Sequence, residues 1–215
     1  MSTENPALGR RERKQRATRD RLLTAAQAHF AERGYDRATM DDIAADADVS
    51  RATAFNYFPR KEELLLALAE RRREVIADLL ARERSESADV ADRLHRVFAN
   101  LCDIFDTDVA GTRSLTRAWV QAGGPLLPDA FATAAIFADT LDDARARGQV
   151  RPDIDPGSAG RILLDAYLGA LVHWAAGQDT STATLRNHLS TVVDTIINGL
   201  RPPRTTGARA AHAPD

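Results

Sequence analysis

Between Ser50 and Phe58 the sequence sets Arg51, Ala52, Thr53, Phe55 and Asn56 around two apolar residues, Ala54 and Phe58. A spacing of four puts Ala54 and Phe58 on one face of a helix, turned inward with Val49. The other five stay on or near the outer face. Their types suit the edges of base pairs: arginine pairs with O6 and N7 of guanine, asparagine with adenine, and threonine or an aromatic edge meets the thymine methyl. Ala52 has no bulk to hold a helix away from the bases. This is the chemistry of reading double-stranded DNA, not of turnover. The chain carries no Ser-His-acid arrangement with supporting local sequence, no glycine-rich phosphate loop and no metal spacing, and no two histidines stand four apart. Its scattered Asp and Glu read as solvated helix faces. No catalytic residue, metal or cofactor is expected.

The flanking sequence must position those residues. A helix is predicted over about 16–33, with Leu22, Leu23, Ala26 and Phe30 at helical spacing and Gly34 as its stop. Thr39 is an N-cap with Asp42 three residues on, opening a short helix over 40–47 that buries Ile43. Asp46, Asp48 and Val49 form a turn, and Ser50 caps a third helix over 51–57 that stops before Pro59. Two short helices around a tight turn, about 39–58, make a helix-turn-helix whose second helix can enter the major groove. Further helices are predicted at about 60–81, 89–106, 110–121, 127–147, 156–176 and 182–199, separated by Gly, Pro and polar joints. The fold class is all-α, about nine helices, with a three-helix N-terminal unit and a larger helical C-terminal one.

The charge is divided in the same way. Residues 1–61 hold 12 Lys and Arg against 9 Asp and Glu, while the whole chain holds 29 against 31. Seven basic residues crowd between Arg10 and Arg21, against Glu12 and Asp20. Nucleic-acid contact is therefore confined to the N-terminal end. Residues 1–15 are expected to be a flexible basic arm, in which Arg10, Arg11 and Lys14 either follow the DNA backbone or minor groove or are simply solvated. Residues 201–215 are expected to be a disordered tail. Cys102 is the one cysteine, which excludes a disulfide within the chain and fits a reducing, cytoplasmic compartment. No apolar run reaches the roughly 18 residues of a membrane span.

Over residues 16–76 the sequence resembles the tetracycline-repressor (TetR) family. The residues that carry the likeness are Leu23, Ala25-Ala26, Phe30, Gly34, Thr39, Ile43-Ala44, Val49-Ser50, Thr53, Tyr57-Phe58 and Lys61-Glu62. Three positions depart from the family's pattern: Asp48 replaces a frequent turn glycine, Ala52 a frequent glycine and Phe55 a frequent tyrosine. The resemblance implies that Thr39, Tyr57 and Lys61 contact phosphates, while Arg51, Ala52, Thr53, Phe55 and Asn56 face the bases. It also implies a DNA-binding unit over 16–76, a ligand-binding and dimerisation unit over 77–200, and a regulator that leaves a pseudo-palindromic operator when a small effector binds.

The C-terminal half is read from its apolar residues. Helix 156–176 is apolar nearly all round, so one side can face its own core and the other a second subunit. Leu164, Leu168, Leu171 and Val172, with Leu189, Val192, Val193 and Ile196 of the last helix, are the expected homodimer contacts. His95, Phe98, Cys102, Phe105, Trp119, Phe131, Phe137 and Tyr167 are candidates to line a mostly apolar pocket, each of which can equally be core. A binding protein whose helix-turn-helix no longer engages DNA is the competing class, and Arg51, Thr53, Asn56 and Lys61 argue against it.

Overall fold

A computed structural model describes residues 9–83, 89–122 and 127–201, with nine α-helices and no strand among them. The expected tail lies outside these residues except for Arg201, as do positions 1–8 of the expected arm.

The first helix, α1, spans Arg10–Arg33 and starts six residues earlier than its apolar pattern suggests. The Glu12 carboxylate accepts the Gly9 N–H at 3.0 Å, and the residues between are good helix formers without an apolar stripe to betray them. The described part of the basic arm is therefore helical. Next, α2 spans Met40–Asp46 and α3 spans Arg51–Tyr57. The Thr39 hydroxyl accepts the Asp42 N–H at 3.2 Å and donates to the Asp42 carboxylate at 2.8 Å. Ser50 Oγ accepts the Thr53 N–H at 3.1 Å. Between the two helices Asp48 takes the left-handed conformation at φ 53°, a geometry that Asp adopts more readily than most residues. Phe30, Ile43, Ala54, Leu64 and Leu65, all fully buried, close the core of this unit.

The long α4, Lys61–Arg82, leaves that core and runs into a second bundle. This consists of α5 (Val90–Asp106), α6 (Val109–Ala122), α7 (Leu127–Ala146), α8 (Pro156–Ala176) and α9 (Thr182–Leu200). Arg93 of α5, itself buried, donates through Nε and Nη2 to the Leu80 carbonyl at the end of α4. Gly160 lets α7 and α8 approach closely, because a Cβ there would lie 2.5 Å from the Ala138 nitrogen.

The bundle corrects part of the expected dimer surface. Leu164, Leu171, Leu189 and Val193 are at most 1% exposed within one protomer and belong to its own core. Only Leu168, Val172, Val192 and Ile196 of that set reach the surface, and Ile162 joins them at 57% exposed. Helical spacing gave the apolar stripes but not which stripe the protomer's own bundle covers.

Candidate nucleic-acid interface and ligand cavity

Helix α3 turns two faces in opposite directions. Ala54 and Phe58 are buried, while Arg51, Ala52 and Asn56 are exposed and Thr53, Phe55 and Tyr57 are half-buried. Arg51 is already engaged. Its guanidinium donates to the Asp41 carboxylate of α2 at 2.8 Å and lies 5.3 Å from the Phe55 ring centroid. Thr53 shares its hydroxyl with Ser50 at 2.8 Å, which leaves its methyl as the group free to meet a base. His29 of α1, buried, meets the Asp46 carboxylate at 2.6 Å and ties α2 to α1.

Lys61 is engaged within the protein. Its ammonium donates to the carbonyls of Tyr35 at 2.6 Å, Ala38 at 3.1 Å and Asp36 at 3.4 Å, and stands 4.2 Å from the Tyr35 ring centroid. Burial and the neighbouring Glu62 carboxylate push the Tyr35 hydroxyl up to about 12, so the ring stays neutral. Lys61 thereby pins the loop between α1 and α2 to the start of α4. The phosphate contact expected of Lys61 is not tested by these hydrogen bonds, which add a structural role to it.

The second bundle holds a cavity of about 70 Å³. Ala69, Arg72, Arg73 and Ile76 of α4 form one wall, Trp119 of α6 a second, Thr133 of α7 a third, and Leu164, Tyr167 and Leu168 of α8 a fourth. The Arg72 guanidinium lies 3.9 Å from the Trp119 ring centroid and 5.3 Å from that of Phe105. Trp119 Nε1 is buried without a hydrogen-bond partner, and the buried Tyr167 hydroxyl lies beside Arg72. Below them, Phe98 stacks on Tyr167 at 5.5 Å and meets Phe137 at 6.1 Å.

A family model described as bacterial regulatory proteins of the tetR family matches residues 22–68. The HTH-type transcriptional repressor KstR of Rhodococcus jostii is 28% identical over 195 residues, which span 88% of this chain and 87% of that protein. The HTH-type transcriptional regulator UidR of Escherichia coli K12 is 26% identical over 188 residues, 84% of this chain and 93% of its own. A crystal structure of Thermus thermophilus FadR, a TetR-family repressor in complex with lauroyl-CoA, superposes with a TM-score of 0.68 at 25% identity. It covers 92% of this chain and 99% of its own. Residues 22–68 are thus a TetR-type DNA-binding domain, and the chain as a whole is similar to TetR-family transcriptional repressors in sequence and fold.

TetR-family regulators are DNA-binding proteins and not enzymes, in line with the residue types on α3. Among the described residues no helix is long and apolar enough to cross a membrane, and no cluster of His, Cys, Asp and Glu is set to hold a metal. Of the eight expected pocket residues, only Trp119 and Tyr167 line the cavity. Phe98, Cys102 and Phe137 are core packing behind it, and burial pushes the Cys102 thiol up to about 11, out of the range of a reactive thiolate. Phe105 packs against Trp174 and lines a second hollow of about 150 Å³ with Leu68, Leu101 and Leu115. Two expected residues are elsewhere: His95 pairs with Asp194 of α9 at 2.9 Å, and Phe131 is 59% exposed beneath Arg161. Arg72 was missed. Its signal was an arginine falling in the apolar stripe of α4 with Leu65, Leu68 and Ile76, a place where a surface cation does not belong.

Proposed function

We propose that this regulator is a repressor that binds a pseudo-palindromic operator as a homodimer and leaves it when a small, mostly apolar ligand enters the C-terminal cavity. The observation that carries the reading is the division of α3, which buries Ala54 and Phe58 and leaves Arg51, Ala52 and Asn56 outside. Arg51, Ala52, Thr53, Phe55 and Asn56 face the bases, and Thr39 and Tyr57 flank them at the phosphates. The DNA-binding unit takes in α1 to α3 and the first half of α4, and the rest of the described chain carries ligand and dimer contacts. Leu168, Val172, Val192 and Ile196, with Ile162, supply the apolar surface for the second protomer. Ligand control is supported by the cavity and by the lauroyl-CoA bound to FadR.

The test is fluorescence anisotropy with the DNA upstream of the chain's own coding region, against scrambled DNA, for wild type and Arg51→Ala. The variant is expected to lose about 1–3 kcal/mol per contact and to relax base preference at one position in each half-site. Unchanged affinity and preference in Arg51→Ala would remove α3 from the reading.

A further inference from the structure

The second hollow has no part in the function proposed above. It lies between α1, α4, α5 and α6, measures about 150 Å³, and is walled by Leu68, Val75, Leu101, Ile104, Phe105 and Leu115. Two uncharged polar side chains border it, the amide of Gln27 on α1 and the hydroxyl of Thr112 on α6. The exposed charges at its edge, Arg71 and Asp108, are of opposite sign. Arg72 also borders it but is already engaged. Its guanidinium lies 5.3 Å from the Phe105 ring centroid and 3.9 Å from that of Trp119, and it is hydrogen-bonded with Tyr167. An apolar space of roughly 150 Å³ admits a benzene. The inner cavity, at about 70 Å³, is under half of that, so a molecule entering it must part its walls. The hollow is already open. Helix α4 stands between the two spaces: Leu68, Arg71 and Val75 border the hollow, Ala69, Arg73 and Ile76 the cavity, and Arg72 both. Movement of α4 away from the cavity therefore narrows the hollow.

We propose that the hollow is a second ligand site for a compact, uncharged, single-ring molecule, and that its occupant braces α4 against opening of the inner cavity. Binding follows from the walls of the hollow alone, whereas the effect on DNA rests on the repressor reading above. Six apolar side chains supply the burial, and the Gln27 amide can meet one hydroxyl or carbonyl of the molecule and so orient it. An ion would surrender its water without a dedicated partner of opposite charge. The hollow and the cavity favour opposite positions of α4. An occupant of either must therefore weaken binding in the other by the same factor. The described arrangement, with the hollow open and the cavity small, is the one that an occupant of the hollow selects.

The experiment uses the full chain with phenol as the probe, beside benzoate and benzylammonium. Binding is read by equilibrium dialysis at about 1–5 mM, the range expected of so small a ligand. One phenol per protomer is expected, with each ion at least about tenfold weaker. Ile104→Trp sets a larger side chain at the half-exposed mouth of the hollow, and it is expected to weaken phenol by about tenfold or more while circular dichroism shows an intact fold. Ala69→Val narrows the inner cavity instead and is expected to leave phenol binding unchanged. Operator affinity in phenol, read by anisotropy, is expected to be equal to that without it or higher. The proposal is overturned if phenol does not bind, if either ion matches it, or if Ile104→Trp keeps full binding. It is equally overturned if Ala69→Val abolishes binding, or if phenol releases operator from the wild type but not from Ile104→Trp. A wild-type protein that ignores operator DNA but binds phenol, with loss in Ile104→Trp, sinks the regulator reading and leaves the second site standing.

Discussion

Lys61 and Arg51 show how a side chain expected to touch DNA can first be spent on the protein. Lys61 gives its ammonium to three carbonyls of the loop between α1 and α2. Its removal strands those carbonyls, and hydrogen bonds to a charged group are worth about 1.5–3 kcal/mol each. Lys61→Met is expected to lower unfolding stability by about 2–3 kcal/mol and to weaken binding to all sequences. The plot of log affinity against log salt should keep its slope, because no phosphate contact is lost. A slope flatter by about 0.9, with unchanged stability, would return Lys61 to the phosphates. Arg51 is held by Asp41, an exposed carboxylate that under the proposed function lies beside the DNA. Both side chains are largely exposed, so the pair itself is weak. Asp41→Asn is expected to free Arg51, remove a charge that repels phosphate, and tighten operator binding about two- to fivefold at low salt, less at high salt. Weaker binding with loss of preference at the Arg51 position would instead make Asp41 a brace that aims the guanidinium.

The helices themselves were legible because their caps and stops are chemical: Thr39, Ser50, Asp89, Asp155 and Ser181 each accept a backbone N–H of the helix they open. The early start of α1 was not, since a charged first turn has no apolar period and its cap is a glycine. The recognition face was legible for the same reason as the caps, being set by local spacing within one short helix. The cavity was not, because it depends on which faces of α4, α6, α7 and α8 meet, and aromatic residues at helical spacing look alike in core and pocket. The dimer face lies between these cases. Spacing found α8 and α9 but could not separate Leu171 from Val172, adjacent residues of which one is buried and the other half-exposed. That distinction can be tested. Val172→Glu with Ile196→Glu is expected to give folded monomers by light scattering and circular dichroism. Leu171→Glu with Val193→Glu buries unpaired charge in the protomer and is expected to unfold it. Wild-type protein that is monomeric at micromolar concentration would sink the dimer proposal.

At the scale of the molecule, two struts join the cavity to the DNA-binding unit. Helix α4 carries Arg72 at the cavity and, two residues before it near the middle of the helix, an ion pair from Glu70 to Arg19 of α1 at 3.2 Å. Helix α6 carries Trp119 at the cavity and Ser114, which donates to the Phe30 carbonyl of α1. Ser114 is buried and the Glu70 pair is half-exposed, so the α6 strut is the stiffer of the two. A ligand that parts the cavity walls must strain one or both contacts, and its effect on DNA is limited to the difference in its affinity for the two arrangements. A coupling of about 1–3 kcal/mol corresponds to a response of roughly 5- to 150-fold. Linkage makes this reciprocal: operator must weaken the ligand by the factor by which the ligand weakens operator. Ser114→Ala removes one hydrogen bond, worth about 0.5–1.5 kcal/mol, from the stiffer strut. It is expected to leave operator affinity without ligand nearly unchanged and to cut the coupling by that amount, measured from both directions of the cycle. Equal coupling in the variant and the wild type would assign transmission to α4 alone. Unequal factors in the two directions would show that the bound molecule is not acting through this cavity.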